Sequence, residues 1–240
     1  FSERMRLEKK NINEKIHIKQ STFFLLCKII LCVIGLIFGA NFLIDGSVQI
    51  AQYYKISERV IGLSLIAIGT SLPELITAIR NYVKSGEKAL VIGGGSGAST
   101  VVVAHQVGNL GSVFSYEGNK NSFVRVKETV NLNKVNDHVK VYHTIVEKPV
   151  YLLGEIGNPP TLAAKDLPDC DVLVMDCEGA ELPILQNIKI RPRLIIVEAH
   201  PSLNSPKEEV SDLLNKLGYD IISSDARGES LDVLSAIQKD

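Results

Sequence analysis

The sequence predicts an α/β fold with a mainly parallel seven-stranded sheet, preceded by an α-helical membrane hairpin. Three observations carry this reading. After Ser85, strand-like and helix-like patterns alternate, as in a parallel sheet covered on both faces. A glycine-rich run, Val91 to Gly97, falls between the first of these strands and the first of these helices. Upstream, every residue from Phe23 to Ile44 except Lys28, Gly35, Gly39 and Asn41 is apolar, which meets the length and polarity of a membrane-spanning helix.

The 240 residues suffice for a mid-sized domain with an appendage. Three parts are expected: a basic segment over 1–22, membrane helices over 23–82 and a soluble domain over 83–240. With 26 basic against 27 acidic side chains, no general attraction to nucleic acid is implied. Cys27, Cys32, Cys170 and Cys177 show neither metal-ligand spacing nor a disulfide framework and read as reduced packing residues.

The first apolar run follows Arg4, Arg6, Lys9, Lys10, Lys15 and Lys19, and it exceeds the ~7–15 residues of a signal-peptide core. A second apolar segment, Val60 to Ile79, precedes Arg80, Lys84 and Lys88. If both span, their basic flanks lie on the cytoplasmic side, which places the C-terminal domain in the cytoplasm. The second segment is interrupted at Gly69, Thr70, Ser71, Pro73 and Glu74. Ser71-x-x-Glu74 reads as a capping box, with Pro73 in the first turn of a new helix. An ionisable Glu74 at membrane depth is a candidate for cation binding.

The stretch Glu58-Arg-Val-Ile-Gly-Leu-Ser-Leu-Ile-Ala-Ile-Gly-Thr-Ser-Leu-Pro-Glu-Leu-Ile-Thr77, with Gly39 to Asp45 upstream, resembles the second α-repeat of sodium/calcium exchangers. The resemblance implies that Thr70, Ser71 and Glu74 belong to a cation site completed by an inverted repeat, here expected from another chain. The plainer alternative is a two-helix anchor over residues 23–80.

In the C-terminal part, strands are expected at Ala89–Ile92, Ser112–Glu117, Val139–Val146, Asp171–Met175, Leu194–Val197, Tyr219–Ser223 and Asp232–Ala236. Helices are expected over 98–107, 120–132, 178–187 and 207–217, the last closed by Gly218. Glycines between a strand and a helix let backbone approach a ligand closely. Gly93-x-Gly95-x-Gly97 fits the loop beside the amino-acid part of S-adenosylmethionine (SAM), and Gly93-x-Gly95-x-x-Ala98 also fits the relaxed dinucleotide pattern. Glu117 ends the second strand, where an acid can bind the ribose hydroxyls common to both cofactors. Asp176 sits at the carboxyl end of the fourth strand, with Glu178 and Glu181 at the following helix start, where either could be a mere capping charge.

The segment Asp176-Cys-Glu-Gly-Ala-Glu181, the glycine loop, Glu117 and Val197-Glu-Ala-His-Pro201 together resemble FkbM-type methyltransferases. Many members carry an acid in the loop where this chain has Gly93-Gly94-Gly95. The resemblance implies a Rossmann-like SAM methyltransferase domain acting on a small-molecule or glycan acceptor, at oxygen. Gly93, Gly95, Gly97, Glu117 and Asp176 are the expected cofactor-binding residues. Asp176, Glu178 and His200 are the expected catalytic ones, His200 because an unperturbed imidazole titrates near neutrality. No firm metal site is expected. The competing readings are a membrane cation-transport component using Glu74 and a non-catalytic SAM- or nucleotide-binding protein. The expected partners are the acceptor and, through residues 23–80, a membrane, with no nucleic acid.

Overall fold

The computed structural model describes residues 24–35, 38, 39, 42, 46, 72–147, 157–226 and 232–239. By internal contacts the chain forms two units, Phe1–Ile66 and Ala67–Asp240.

In the first unit, residues 24–35 are helical and leave large apolar side chains uncovered, with Phe24, Leu31 and Phe42 exposed by 64%, 74% and 83%. Among the described residues no helix is long and apolar enough to cross a membrane. Gly46–Arg59, Val60–Thr70 and Ser71 contain the expected outer loop and half of the expected second membrane segment. Apart from Gly46 itself, they lie outside the described residues.

The second unit begins with helix α1, Leu72–Tyr82. The remaining elements are β1 (Lys88–Ile92), α2 (Ala98–Val107), β2 (Ser112–Glu117), α3 (Lys120–Leu132), β3 (Val139–His143), β4 (Ile145–Val146), β5 (Thr161–Leu162), β6 (Val172–Met175), α4 (Glu181–Asn187), β7 (Leu194–Ala199), α5 (Lys207–Lys216), β8 (Tyr219–Ala226) and β9 (Asp232–Gln238). Seven strands form one mixed sheet in the order β3-β2-β1-β6-β7-β9-β8, and β4 pairs with β5 separately. The first five strands of that order are parallel, while β9 runs antiparallel to both β7 and β8. All seven expected strands are present in the main sheet, and its mixed character comes from the inserted β9.

Strand periodicity divides the core into two layers. Leu90 and Ile92 of β1, with Leu173 and Met175 of β6, face a layer completed by Ile184 and Leu185 of α4 and Val210 and Leu214 of α5. Ala89, Val91, Val172 and Val174 face the other layer, built with α1, α2 and α3. Helix α2 is buried on several sides because it packs between α1 and α3 and also covers β1 and β2. That surrounding packing explains its Val-rich sequence.

The stretch Leu72 to Ile79 departs from its expected place in a membrane helix. Leu75, Ala78 and Ile79 are buried in the sheet's second layer, whereas Pro73, Thr77, Arg80 and Asn81 are exposed along the opposite side. An amphipathic stripe of this kind covers a protein core on one side and meets water on the other. The helix end is tied down as well. Arg193 donates to the Tyr82 carbonyl at 3.0 Å and pairs with Glu87 at 2.7 Å, and Gln106 donates to the Arg80 carbonyl at 2.9 Å. Glu74 lies on this core-packed helix, while Thr70 and Ser71 lie outside the described residues.

The expected third strand is also interrupted. It leaves the main sheet after His143, where the Thr144 N–H donates to the Glu117 carbonyl, and β4 then pairs with β5. Since Ile79 is fully buried in the α1 layer, Ile79→Ala is expected to destabilise the 67–240 unit by about 2–4 kcal/mol in urea unfolding monitored by circular dichroism. No measurable change would be expected of a lipid-facing side chain.

Candidate active site

The order β3-β2-β1-β6-β7 means that the chain winds outward from β1 to β3 and then returns to β6 on the other side of β1. The loops leaving β1 and β6 therefore diverge at the carboxyl end of the sheet, where open α/β folds hold ligands. A cavity of about 170 Å³ opens there, with Gly93, Gly95, Tyr116, Glu117, Asp176 and Glu178 among its walls.

The glycine loop has different constraints at each position. Gly93 has φ +85, and a Cβ there would collide with the Asp176 carbonyl, so only glycine lets the β1 and β6 loops approach. A Cβ added at Gly94 would come within 2.9 Å of the Ser115 and Val126 side chains, so this position is tight as well. Gly95 faces open space and its N–H donates to Glu117 Oε2 at 2.8 Å. Gly97 caps α2 in the left-handed region and packs on Thr129 and Val126 of α3, outside the cavity wall. Its role is thus to close the turn.

Glu117 is buried and also accepts the Asn119 N–H at 2.7 Å through Oε1. Burial raises its pKa, against the lowering effect of these backbone donors. A carboxylate offers about four acceptor sites, more than its backbone donors fill.

On the far side of the cavity, the chain after Asp176 turns sharply. Glu178 has φ 50 and Gly179 φ 97, so helix α4 starts only at Glu181 and Glu178 stands on the turn, rather than in the first helical turn. Gly179 packs against the Leu203 carbonyl and Cβ, and Ser205 donates to its carbonyl at 3.3 Å. This contact brings the loop after β6 against the loop after β7. Glu181 is fully buried and hydrogen-bonded to His200 Nδ1 at 2.8 Å, with its Oε1 also accepting the Cys177 N–H at 3.2 Å. It is an interior partner of the histidine and not a capping charge.

The His200 ring turns its Nε2 toward Asp176 Oδ1 at 3.6 Å and Glu198 Oε1 at 3.8 Å. Glu198 and His200 are two residues apart across the end of β7, a spacing that puts both on one face. Asp176, Glu178 and His200 therefore do come together, joined by Glu181 and Glu198. Glu198 went unassigned in the sequence because alternation along β7 becomes a statement about the site only once the strand's direction and end are fixed.

Burial opposes a charged His200, and the hydrogen bond and charge of Glu181, followed by Asp176 and Glu198, outweigh it, holding the imidazolium up to about 9. At neutral pH His200 is accordingly an acid and not the ready base that an unperturbed imidazole would be. Burial likewise pushes Asp176 upward, and the Glu198 charge adds to this, with His200 offsetting part. Glu178 is raised by burial against the attraction of His200. Burial alone would raise Glu181, yet its bond to His200 lowers it.

The fold is that of Rossmann-like methyltransferases. The ribosomal protein L11 methylase of Lactobacillus delbrueckii subsp. bulgaricus superposes with a TM-score of 0.52 at 14% identity, over 70% of this chain and 78% of that one. Residues 160–221 match the methyltransferase FkbM domain, and residues 24–135 match the sodium/calcium exchanger protein family. Among sequence relatives, an uncharacterized membrane protein of Methanocaldococcus jannaschii is 38% identical over 92 residues, which cover 38% of this chain and 30% of that protein. The inner membrane protein YrbG of Escherichia coli is 44% identical over 61 residues, covering 25% of this chain and 18% of that protein. The chain thus spans under a third of the length of these relatives. The exchanger match runs on through β1, α2, β2 and α3, which the structure builds into the α/β sheet.

His200 charge depends on Glu181, so Glu181→Gln is expected to lower the His200 pKa from about 9 toward its ordinary 6.5, read from the imidazole C2–H shift in an NMR titration. The raised pKa also fixes the sign of the linkage. The His200 contribution to stability is fully present below about pH 6.5 and is lost as pH rises through about 9.

Proposed function

We propose that the 67–240 unit is a SAM-dependent methyltransferase that methylates a small-molecule or glycan acceptor at oxygen. The observation that carries this reading is the convergence of the Gly93–Gly95 backbone, Glu117 and Asp176 on one cavity at the sheet's switch point. The FkbM match over 160–221 supports it from the other side of the cavity.

The residues fit the cofactor. Position 95 opens freely toward ligand space, and Glu117 holds unfilled acceptor capacity where ribose hydroxyls can donate. When bound, SAM supplies a methyl group already activated on a sulfonium. The chain's own residues then have to orient an acceptor in line and receive its proton. Asp176 is the best placed proton acceptor, since it lies on the cavity wall and burial pushes its carboxyl up to about 8. Glu178 borders the same space and positions the acceptor, and His200 stabilises the charge on Asp176 from behind.

Titrating SAM into the protein by calorimetry tests the cofactor assignment. Saturable heat is expected, with an affinity at least 10-fold weaker in Glu117→Ala, as lost hydrogen bonds to hydroxyls of about 1.5–3 kcal/mol imply for a charged acceptor. Unchanged binding in that variant would exclude Glu117 from the nucleoside site. The oxygen acceptor is tested by a metabolite and glycan methylation screen, where SAM binding without any methylated oxygen would count against it.

We further propose that the chain is membrane-associated through its N-terminal segment, with the 67–240 unit on the cytoplasmic side. The exchanger match, and the exposed apolar side chains from Phe24 to Phe42, favour this. Full-length protein is expected to float with liposomes and to lose flotation when Phe24, Leu31 and Phe42 are replaced by Asn. Glu74 itself lies on the helix that packs against the sheet.

A further inference from the structure

We infer that Asp176, Glu198 and His200 form a binding site for one divalent metal ion, of the Mn²⁺ type, in the wall between the cavity and β7. Asp176 Oδ1, Glu198 Oε1 and His200 Nε2 belong to a set of ligand atoms that all lie within 4.8 Å of one another. His200 Nε2 stands 3.6 Å from Asp176 and 3.8 Å from Glu198, both too long for hydrogen bonds. Separations of this size are those of ligand atoms around a shared ion.

A second, independent feature points the same way. His200, only 8% exposed, gives its Nδ1 to the fully buried Glu181 at 2.8 Å. A metal-binding imidazole is commonly held in this manner, one ring N–H donating to the carboxylate and so leaving the other nitrogen as a lone pair aimed at the ion. Here that other nitrogen aims at two carboxylates. Glu198, Glu178 and Glu181 all act on Asp176, and a bound dication would offset this surplus of negative charge.

Two carboxylate oxygens with one imidazole nitrogen suit a borderline or hard divalent ion better than a thiophilic one. Asp176 is the open member, with 36% of its side chain exposed, while Glu198 and His200 are at 4% and 10%. An ion would therefore be reached from the cavity and would present its free positions to that space. Its use in holding an acceptor oxygen rests on the methyltransferase reading, whereas the binding itself does not.

The test is Mn²⁺ titration of the full chain without SAM, followed by electron paramagnetic resonance of the free ion. One saturable site is expected, weakened at least 10-fold by Glu198→Gln and by His200→Asn. Glu181→Gln, at a side chain that meets the far ring nitrogen and not the ion, is expected to cost 10- to 100-fold in affinity. If these variants do not fold, ¹⁴N modulation of the electron spin echo in the wild-type Mn²⁺ complex provides the decision, because it reports a bound imidazole directly. Absence of saturable binding, absence of ¹⁴N coupling, or affinity unchanged in all three variants would overturn the site. SAM calorimetry on the same samples is read separately, so loss of metal binding with SAM heat retained would refute the metal site and leave the cofactor assignment standing.

Discussion

The structure depends above all on the close approach of β1 and β6 at their carboxyl ends. Ile92 pairs with Met175 in parallel register, the Asp176 N–H continues the ladder to the Ile92 carbonyl at 3.0 Å, and Gly93 donates to the Tyr116 carbonyl at 2.9 Å on the other side. These bonds lock three strand ends into one plane. A side chain at position 93 would break the plane by striking the Asp176 backbone, so the glycine is a packing requirement before it is a ligand-binding one. Everything proposed for the site follows from this junction, because it sets Glu117, the loop and Asp176 around a single opening.

From that opening a chain of buried polar contacts runs inward, from Asp176 through His200 to Glu181. Gathering four carboxylates, two of them buried, near one imidazole is unfavourable unless charge is shared by proton or cation. The raised Asp176 and His200 pKa values are the proton solution to that problem, and a metal ion is the alternative for the same atoms. The two solutions compete, since an ion needs Nε2 as a lone pair and Asp176 as an anion. Metal occupancy would consequently release protons and grow stronger as pH rises.

Much of this was legible in the sequence. The seven main-sheet strands follow from apolar runs bounded by glycine and polar residues, and α2 and α3 end where their patterns end. The site residues were marked by position, at strand ends next to glycines. What pattern could not supply was any relation between distant segments. The Glu181 side chain looks like an ordinary first-turn acid until β7 places His200 within 2.8 Å. Glu178 looks helical, yet it and Gly179 both have positive φ, and Leu203 leaves no room for a Cβ at position 179. Ile145–Val146 reads as the end of the third strand, and its separate pairing with Thr161–Leu162 is invisible because two residues per strand carry no periodicity.

The segment before β1 shows where pattern misleads for a physical reason. From Val60 to Ile79 the composition is apolar enough for a bilayer, yet a helix that lies in lipid has no need of a polar side, whereas Pro73, Thr77, Arg80 and Asn81 form one. The buried side chains Leu75, Ala78 and Ile79 follow the i, i+3, i+4 spacing of a helix lying on a protein surface. The same residues can thus satisfy an exchanger-like sequence pattern and the requirements of the sheet's outer layer. Arg193, reaching from the start of β7 to the Tyr82 carbonyl and to Glu87, supplies the polar tie that a lipid-facing helix end would lack. Most of the large apolar side chains left uncovered among the described residues lie further upstream, Phe24, Leu31, Phe38 and Phe42 among them.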